Sequence, residues 1–171
     1  MKFNHLVVLS AFLLLAAGCG KGSASISAPG VSVTFNPDLF IGVWSGTWSN
    51  TTNATTGAVN MTVTQEGSQF VLELDMDGEV FGVTDPEPEA WLVDIRPDRA
   101  EFFQTISPVY GLMTGEVDAL ARITVTSVEI DGDVDSFDLT GSAYGNQMTV
   151  NVTITLDSGS VVTANAILTR A

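Results

Sequence analysis

The feature that most constrains the fold of this chain is a two-residue alternation of apolar and polar side chains. In residues 147–156 every second side chain is apolar, namely Met148, Val150, Val152, Ile154 and Leu156. Successive side chains of a strand point to opposite faces, whereas a helix would mix the two sets. Similar runs predict strands at 40–49, 58–65, 70–76, 79–84, 90–96, 101–106, 119–130, 134–144, 147–156 and 160–170. The chain is therefore expected to fold as an all-β domain.

Short turns between these runs predict antiparallel pairing. The links include Glu66-Gly67, Asp77-Gly78, Asp131-Gly132 and Gly145-Asn146, and such residues favour hairpins. About eight to ten strands can close into a single antiparallel up-and-down β-barrel or form a two-sheet β-sandwich. We favour the barrel because closure leaves no exposed strand edge. The sandwich remains the alternative.

Two stretches interrupt the alternation. Residues 84–89 contain two prolines and three carboxylates and predict a loop. Residues 107–118 contain Pro108, Gly111 and Gly115. We expect a loop or a short helical turn there.

Residues 1–18 have the features of a secretory signal peptide. Lys2 precedes an apolar run from Leu6 to Ala17, and small residues follow immediately before Cys19. The run has about twelve residues, whereas a membrane-spanning helix needs roughly twenty. We therefore expect residues 1–18 to be removed.

The segment from Leu15 to Cys19 resembles the lipobox of bacterial lipoproteins. That resemblance implies that Cys19 becomes the mature N-terminus and carries a thioether-linked diacylglycerol and an N-acyl chain such as palmitate. Gly20, where some lipoproteins have Asp, implies by the same resemblance an outer-membrane location in the cell envelope. Residues 19–36 are rich in Gly, Ser and Ala, which predicts a lipidated, flexible linker. The barrel domain is then expected to occupy residues 37–171.

The first strand of the domain carries a tryptophan motif. Residues 40–49 read FIGVWSGTWS, so Trp44 and Trp48 lie on one face with glycines between them. Gly42-Val43-Trp44 resembles the G-x-W motif on the first strand of lipocalins and the wider calycin group. The resemblance implies that Trp44 lies inside the closed end of the barrel and that Arg170 packs across its ring. Trp44, Trp48 and Arg170 are thus structural or ligand-cavity candidates, although both tryptophans could equally be core aromatics of a sandwich.

One acidic run is a weak candidate for a calcium site. Asp131, Asp133 and Asp135 alternate in a predicted turn, and carboxylates spaced in this way can converge on a hard cation. The run departs from the EF-hand template because its sixth position is Ser136 and its twelfth is Ser142. A hairpin turn with solvated aspartates is the favoured interpretation, so we predict no metal and no cofactor.

Composition argues against several classes of activity. Six Lys and Arg stand against 20 Asp and Glu, for a formal charge of −14, which is unfavourable for binding nucleic acid. The chain has one His and one Cys, His5 and Cys19, so the expected domain has neither a Cys/His zinc site nor a nucleophile paired with His. No pair of carboxylates stands out from the rest. We assign no catalytic residue and predict that the protein is not an enzyme.

These expectations lead to two functional hypotheses. In the first, the chain is a membrane-anchored envelope lipoprotein whose barrel binds a small apolar ligand. In the second, the barrel is solid and serves as a structural adaptor for an envelope protein partner. A cavity of roughly 300 Å³ or more would favour the first hypothesis. Trp91, Phe102 and Phe103 are expected either to line the mouth of such a cavity or, the favoured interpretation, to fill the core.

Overall fold

The computed structural model describes residues 33–171. The predicted signal peptide, Cys19 and the predicted linker up to residue 32 lie outside the described residues. Across residues 33–171 the chain forms twelve strands and one short 3-10 helix at Pro37–Leu39. No helix in this part of the chain is long and apolar enough to cross a bilayer.

The strands are numbered in chain order. They are β1 (Gly42–Asn50), β2 (Thr56–Glu66), β3 (Gln69–Met76), β4 (Glu79–Val80), β5 (Val83–Thr84), β6 (Glu89–Ile95), β7 (Arg99–Ser107), β8 (Gly111–Asp118), β9 (Arg122–Val128), β10 (Val134–Tyr144), β11 (Gln147–Leu156) and β12 (Val161–Arg170).

Ten of these strands close into one antiparallel barrel. Around the barrel the order is β1-β12-β11-β10-β9-β8-β7-β6-β3-β2, and β1 pairs with both β12 and β2 to complete the ring. The remaining two strands, β4 and β5, form a separate hairpin between β3 and β6. The prediction of an all-β, up-and-down barrel is confirmed, and the two-sheet sandwich is excluded.

The alternation of side chains divides the barrel wall as the sequence predicts. Met148 pairs with Leu168, and both are buried inside the barrel. Their neighbours Thr149 and Ile167 pair on the outer face, where Ile167 is 55% exposed. A closed sheet needs apolar residues on its inner face only, so threonines can occupy much of the other.

The expectation of a loop or helical turn at residues 107–118 is wrong for most of that stretch. Only the first residues form a turn, and β8 occupies Gly111–Asp118. The glycine that obscures the alternation, Gly115, is required by packing. A Cβ at this position would lie 2.6 Å from Cζ of Phe102, which pairs with it from β7.

One end of the barrel, which we call the closed end, is capped by the chain preceding β1. Phe35 is 6% exposed, and its ring stacks on Phe40 with centroids 5.7 Å apart. Its backbone N–H donates to Pro97 O at 3.0 Å, beyond the end of β6. Phe35 falls in the predicted linker, so packing against the barrel begins before residue 37.

Candidate functional site

Trp44 anchors the closed end. Its side chain is fully buried, and its Nε1 donates to Phe40 O at 2.8 Å. The guanidinium carbon of Arg170 lies 5.2 Å from the ring centroid, within range of a cation–π interaction. This is the arrangement that the resemblance to lipocalins implied.

Arg170 also fixes the chain that caps this end. Its Nη1 donates to Asp38 O at 2.9 Å, to Ile41 O at 3.2 Å and to Leu39 O at 3.3 Å. Carbonyl groups that no strand pairs are therefore satisfied by one charged side chain. Trp44 and Arg170 belong to the packed closed end of the barrel, which we call the floor. Trp44 does not line the cavity that lies above this floor.

Trp48 lies further along β1 and does line the cavity. Its ring is 7% exposed, and its Nε1 donates to Asp77 O at 2.8 Å. Gly57 makes this bond possible, since a Cβ there would lie 1.9 Å from Asp77 O and 2.5 Å from the indole nitrogen. The polar atom of Trp48 is thus engaged, and the ring presents an apolar surface to the interior.

An apolar cavity of about 320 Å³ occupies the barrel above this floor. Its side walls come from inward-facing aliphatic residues of six strands, mainly Met61, Leu72, Leu74, Val125, Leu139, Val150, Val152, Ala164 and Ala166. These walls offer a ligand shape and dispersion contacts but few hydrogen-bonding groups. A molecule held here would be predominantly apolar.

The opposite end of the barrel, the open end, is covered by the β4–β5 hairpin. Its two-residue turn, Phe81-Gly82, has φ of +50° and +82°, as a tight hairpin turn of this kind requires. Gly78 N–H donates to Asp85 Oδ1 at 2.6 Å and closes the base of the hairpin. Phe81 stacks on Phe137 with centroids 5.4 Å apart. The hairpin therefore places an aromatic ring over the cavity.

Tyr110 completes this aromatic cover. Its ring meets Phe81 edge-on at 6.0 Å and Trp91 edge-on at 5.6 Å. Edge-to-face contacts at these distances are favourable. Three segments, the hairpin, β6 and the β7–β8 turn, are thereby joined at the open end.

The backbone of Tyr110 is held by the two buried polar side chains of the described region. Ser107 Oγ accepts from the Tyr110 N–H at 2.7 Å, and the hydroxyl of Ser127 donates to Tyr110 O. Glu89 in turn accepts from the Ser107 hydroxyl at 2.9 Å. Sequence reasoning did not identify Tyr110 as a site residue. The available signal was Ser107-Pro108, because serine before a turn commonly caps the following N–H groups.

The ionisation of Tyr110 follows from its position. Burial raises the pKa of its phenol well above the ordinary value, and the negative charges of Glu89 and Asp75 raise that pKa further. The phenol is therefore neutral at physiological pH and retains its proton. It adds a hydrogen-bonding group to a largely apolar lining, whose other polar members are Asn50, Asn165, Glu79 and Glu116.

The three remaining aromatic candidates separate in the structure. Trp91 and Phe102 line the cavity, as the first of the two alternatives in the sequence analysis proposed. Phe103 is 74% exposed on the outer wall, beside a depression of about 260 Å³. The expectation of a core position is therefore wrong for Phe103. Phe103 follows the inward Phe102 directly, so alternation alone places it on the outer face, and the bulge that follows, with Gln104 at φ +50°, leaves Gln104 exposed as well.

The aspartates of the weak calcium candidate are not gathered into a site. Asp131, Asp133 and Asp135 are all exposed around the turn between β9 and β10. Within residues 33–171 no three His, Cys, Asp or Glu side chains are close enough to hold a metal ion. The turn has the solvated form that the sequence favoured.

Comparison with known proteins gives a structural neighbour and no family. No known protein family matches the sequence. No curated protein matches it either. Among solved structures, the crystal structure of Rv2717c from M. tuberculosis aligns with a TM-score of 0.49 and 12% sequence identity, over 80% of this chain and 99% of that chain.

Proposed function

We propose that this protein is a non-enzymatic binding protein that holds a small apolar molecule inside its barrel. The observation that carries the proposal is the cavity of about 320 Å³ between the packed floor and the aromatic cover. Ligand sites in proteins commonly begin at roughly 300 Å³. The adaptor hypothesis predicts a barrel filled by its own side chains, so the cavity favours the binding hypothesis.

The chemistry of the lining defines the ligand class. Aliphatic and aromatic side chains form nearly all of the wall, and the neutral phenol of Tyr110 lies at one end. The charged side chains that border the cavity, Glu79 and Glu116, are exposed, so a charge on a ligand held inside would lose its hydration without gaining a buried partner. We therefore assign an uncharged, largely hydrocarbon molecule with at most one polar group near the open end.

We propose that the protein is located in the bacterial envelope. This proposal is tested by an experiment that is independent of ligand binding. The lipobox-like sequence ending at Cys19 supports attachment through a lipid, and two or more acyl chains give stable anchoring. The Cys19→Ser variant should lose acyl labelling and leave the membrane fraction. Labelled, membrane-bound Cys19→Ser protein would contradict the anchor and leave the binding proposal standing.

Binding can be tested with the purified protein and N-phenylnaphthylamine, whose fluorescence rises in apolar surroundings. Energy transfer from tryptophan distinguishes dye bound to the protein from free dye, and the two variants below distinguish binding inside the barrel from binding on its surface. The wild-type protein should bind the dye saturably, and native mass spectrometry should detect an apolar molecule that co-purifies with it.

Two neighbouring substitutions give a matched control. Ala166→Phe places a ring in the cavity and should abolish dye binding, whereas Ile167→Phe places the same ring on the outer face and should not. A clean unliganded mass together with no dye binding by the wild-type protein would refute the proposal. Equal binding by both variants would place the ligand outside the barrel.

A further inference from the structure

The barrel wall has one weak seam, between β6 and β7. These strands pair only at Asp94 with Glu101 and at Ile95 with Ala100. By contrast, β10 and β11 pair at ten positions and β11 and β12 at nine. In the described chain the β6–β7 ladder thus stops near the closed end, although both strands continue for several residues.

The bulge in β7 explains why the ladder stops. Continuing the register of Asp94 and Glu101 by two residues would place Leu92 opposite Phe103. Instead, β7 shifts register between Phe102 and Thr105, and Gln104 N–H turns towards Thr114 Oγ1 at 3.3 Å, on the β8 side. Bulges bend a strand and terminate pairing in this way.

Polar contacts fasten the seam at its two ends. Near the closed end Arg96 bonds both Asp94 Oδ2, at 2.9 Å, and Glu101 Oε1, at 3.2 Å. Near the open end the Ser107 hydroxyl donates to Glu89 Oε1 at 2.9 Å. Between these fastenings lies a slot about four residues long, roughly 13 Å at strand spacing.

Apolar side chains occupy both faces of the slot. Trp91 and Phe102 stand on its two sides and line the cavity behind it. On the outside Leu92 is 57% exposed and Phe103 is 74% exposed. Ile106, further along β7, is 80% exposed. Apolar side chains thus flank the unpaired segment on its outer side and on its cavity side.

We propose that the β6–β7 slot is the port through which the apolar ligand reaches the cavity, with Trp91 and Phe102 as its inner gate. This inference rests on the proposed binding function and concerns its route. The exposed leucine and phenylalanine beside the slot give an apolar molecule a first contact. The strand segments that carry Trp91 and Phe102 are not hydrogen-bonded to each other. The two rings can therefore move apart without breaking backbone hydrogen bonds between the strands.

A port makes a kinetic prediction that differs from that of a binding contact. Since the ligand enters and leaves by the same route, a barrier at the port slows association and dissociation by the same factor and leaves the equilibrium constant unchanged. Leu92→Lys combined with Phe103→Lys places two hydrated ammonium groups at the outer mouth. A passing apolar molecule must displace their water, so both rates should fall by about tenfold.

Stopped-flow mixing of the purified protein with N-phenylnaphthylamine, followed by energy transfer from tryptophan, measures both rates. The matched control is Val43→Lys combined with Ile167→Lys, because these residues are 54% and 55% exposed on β1 and β12, away from the slot. The control should keep wild-type rates. Glu89→Ala, which releases the fastening at the open end of the slot, should raise both rates.

The main rival is passage through the open end beneath the β4–β5 hairpin. Asp85→Ala removes the side-chain bond to the Gly78 N–H at the base of this hairpin and leaves the backbone bond between residue 85 and Gly78 O. If Asp85→Ala raises both rates while the Leu92/Phe103 variant behaves like its control, the port assignment is overturned and the binding function stands. A wild-type protein that takes up no dye would overturn both. If the Leu92/Phe103 variant changes the association and dissociation rates by different factors, its affinity changes. That result would make these two residues ligand contacts and would also refute the port.

Discussion

The same alternation of side chains runs through both ends of the barrel, but the interior is packed at the closed end and hollow towards the open end. At the closed end Trp44, Phe40 and Phe70 are at most 5% exposed, and the ring of Phe35 packs against both phenylalanines. Between this packed end and the aromatic cover the inward residues are mostly aliphatic, and a cavity of about 320 Å³ remains. A barrel of about eight strands is just filled by its own side chains, so a ring of ten strands stays hollow unless large rings or extra chain are added. The added N-terminal segment and the tryptophan thus decide which end is solid.

Removing one tryptophan from each region should give the largest effect and tests whether the two regions differ in packing. Trp44→Ala should lower the free energy of unfolding by roughly 3–5 kcal/mol, because it leaves a void in a packed floor and frees Phe40 O. Trp91→Ala should cost less than about 2 kcal/mol, because that ring already borders empty space. Denaturant titration of the two variants provides the measurement. Equal losses would mean that the two regions are packed alike.

Adding volume should also destabilise the packed region more than the cavity. Ala143→Phe inserts a ring where the alanine is 9% exposed and outside the cavity lining, and overpacking should cost about 1–3 kcal/mol. Ala166→Phe points the same ring into the cavity and should change stability by less than about 1 kcal/mol. Thermal or denaturant unfolding separates these outcomes. A large loss in Ala166→Phe would indicate that the cavity walls cannot accept the added volume.

The smallest expected effect concerns the fastened end of the β6–β7 seam. The hydrogen bond from Arg99 holds the pKa of Glu101 below its ordinary value, and the hydrogen bond from Arg96 lowers it further. Since the folded-state pKa is the lower one, the stabilisation is present above the unfolded pKa and is lost as pH falls through the folded one. The ion pairs are partly exposed, so the effect should be weak and reduced by salt. Glu101→Gln should flatten this acid dependence in denaturant titrations from neutral pH downward. An unchanged slope would show that the cluster does not stabilise the seam.

The closed end was more accessible to sequence reasoning than the cavity because its signals are local. Trp44 lies two residues after Gly42, and Arg170 lies at the end of the last predicted strand, 160–170, so their pattern could be matched directly. The role of Tyr110 depends on Ser127, seventeen residues away, and on Glu89, twenty-one residues before it. Such contacts depend on strand register across the barrel, which alternation does not specify.

The sequence also failed at particular glycines and bulges. Gly115 interrupted the alternation in β8, and its necessity is visible only from the ring of Phe102 above it. The bulge in β7 leaves both Phe103 and Gln104 exposed, although strict alternation would turn Gln104 to the same face as Phe102. A one-residue irregularity in one strand therefore changed the strand pairing in a way that the alternation did not predict.

The sequence by itself determined an all-β chain with an inward and an outward face on each strand, because those properties follow from the two-residue repeat and the turn residues. It also marked Trp44 and Arg170 as a pair. Only the tertiary structure decided that the ring has ten strands, that its open half is hollow and that the β6–β7 ladder stops early. Those properties depend on how many strands close, on register and on the packing of side chains distant in sequence, and no local pattern encodes them.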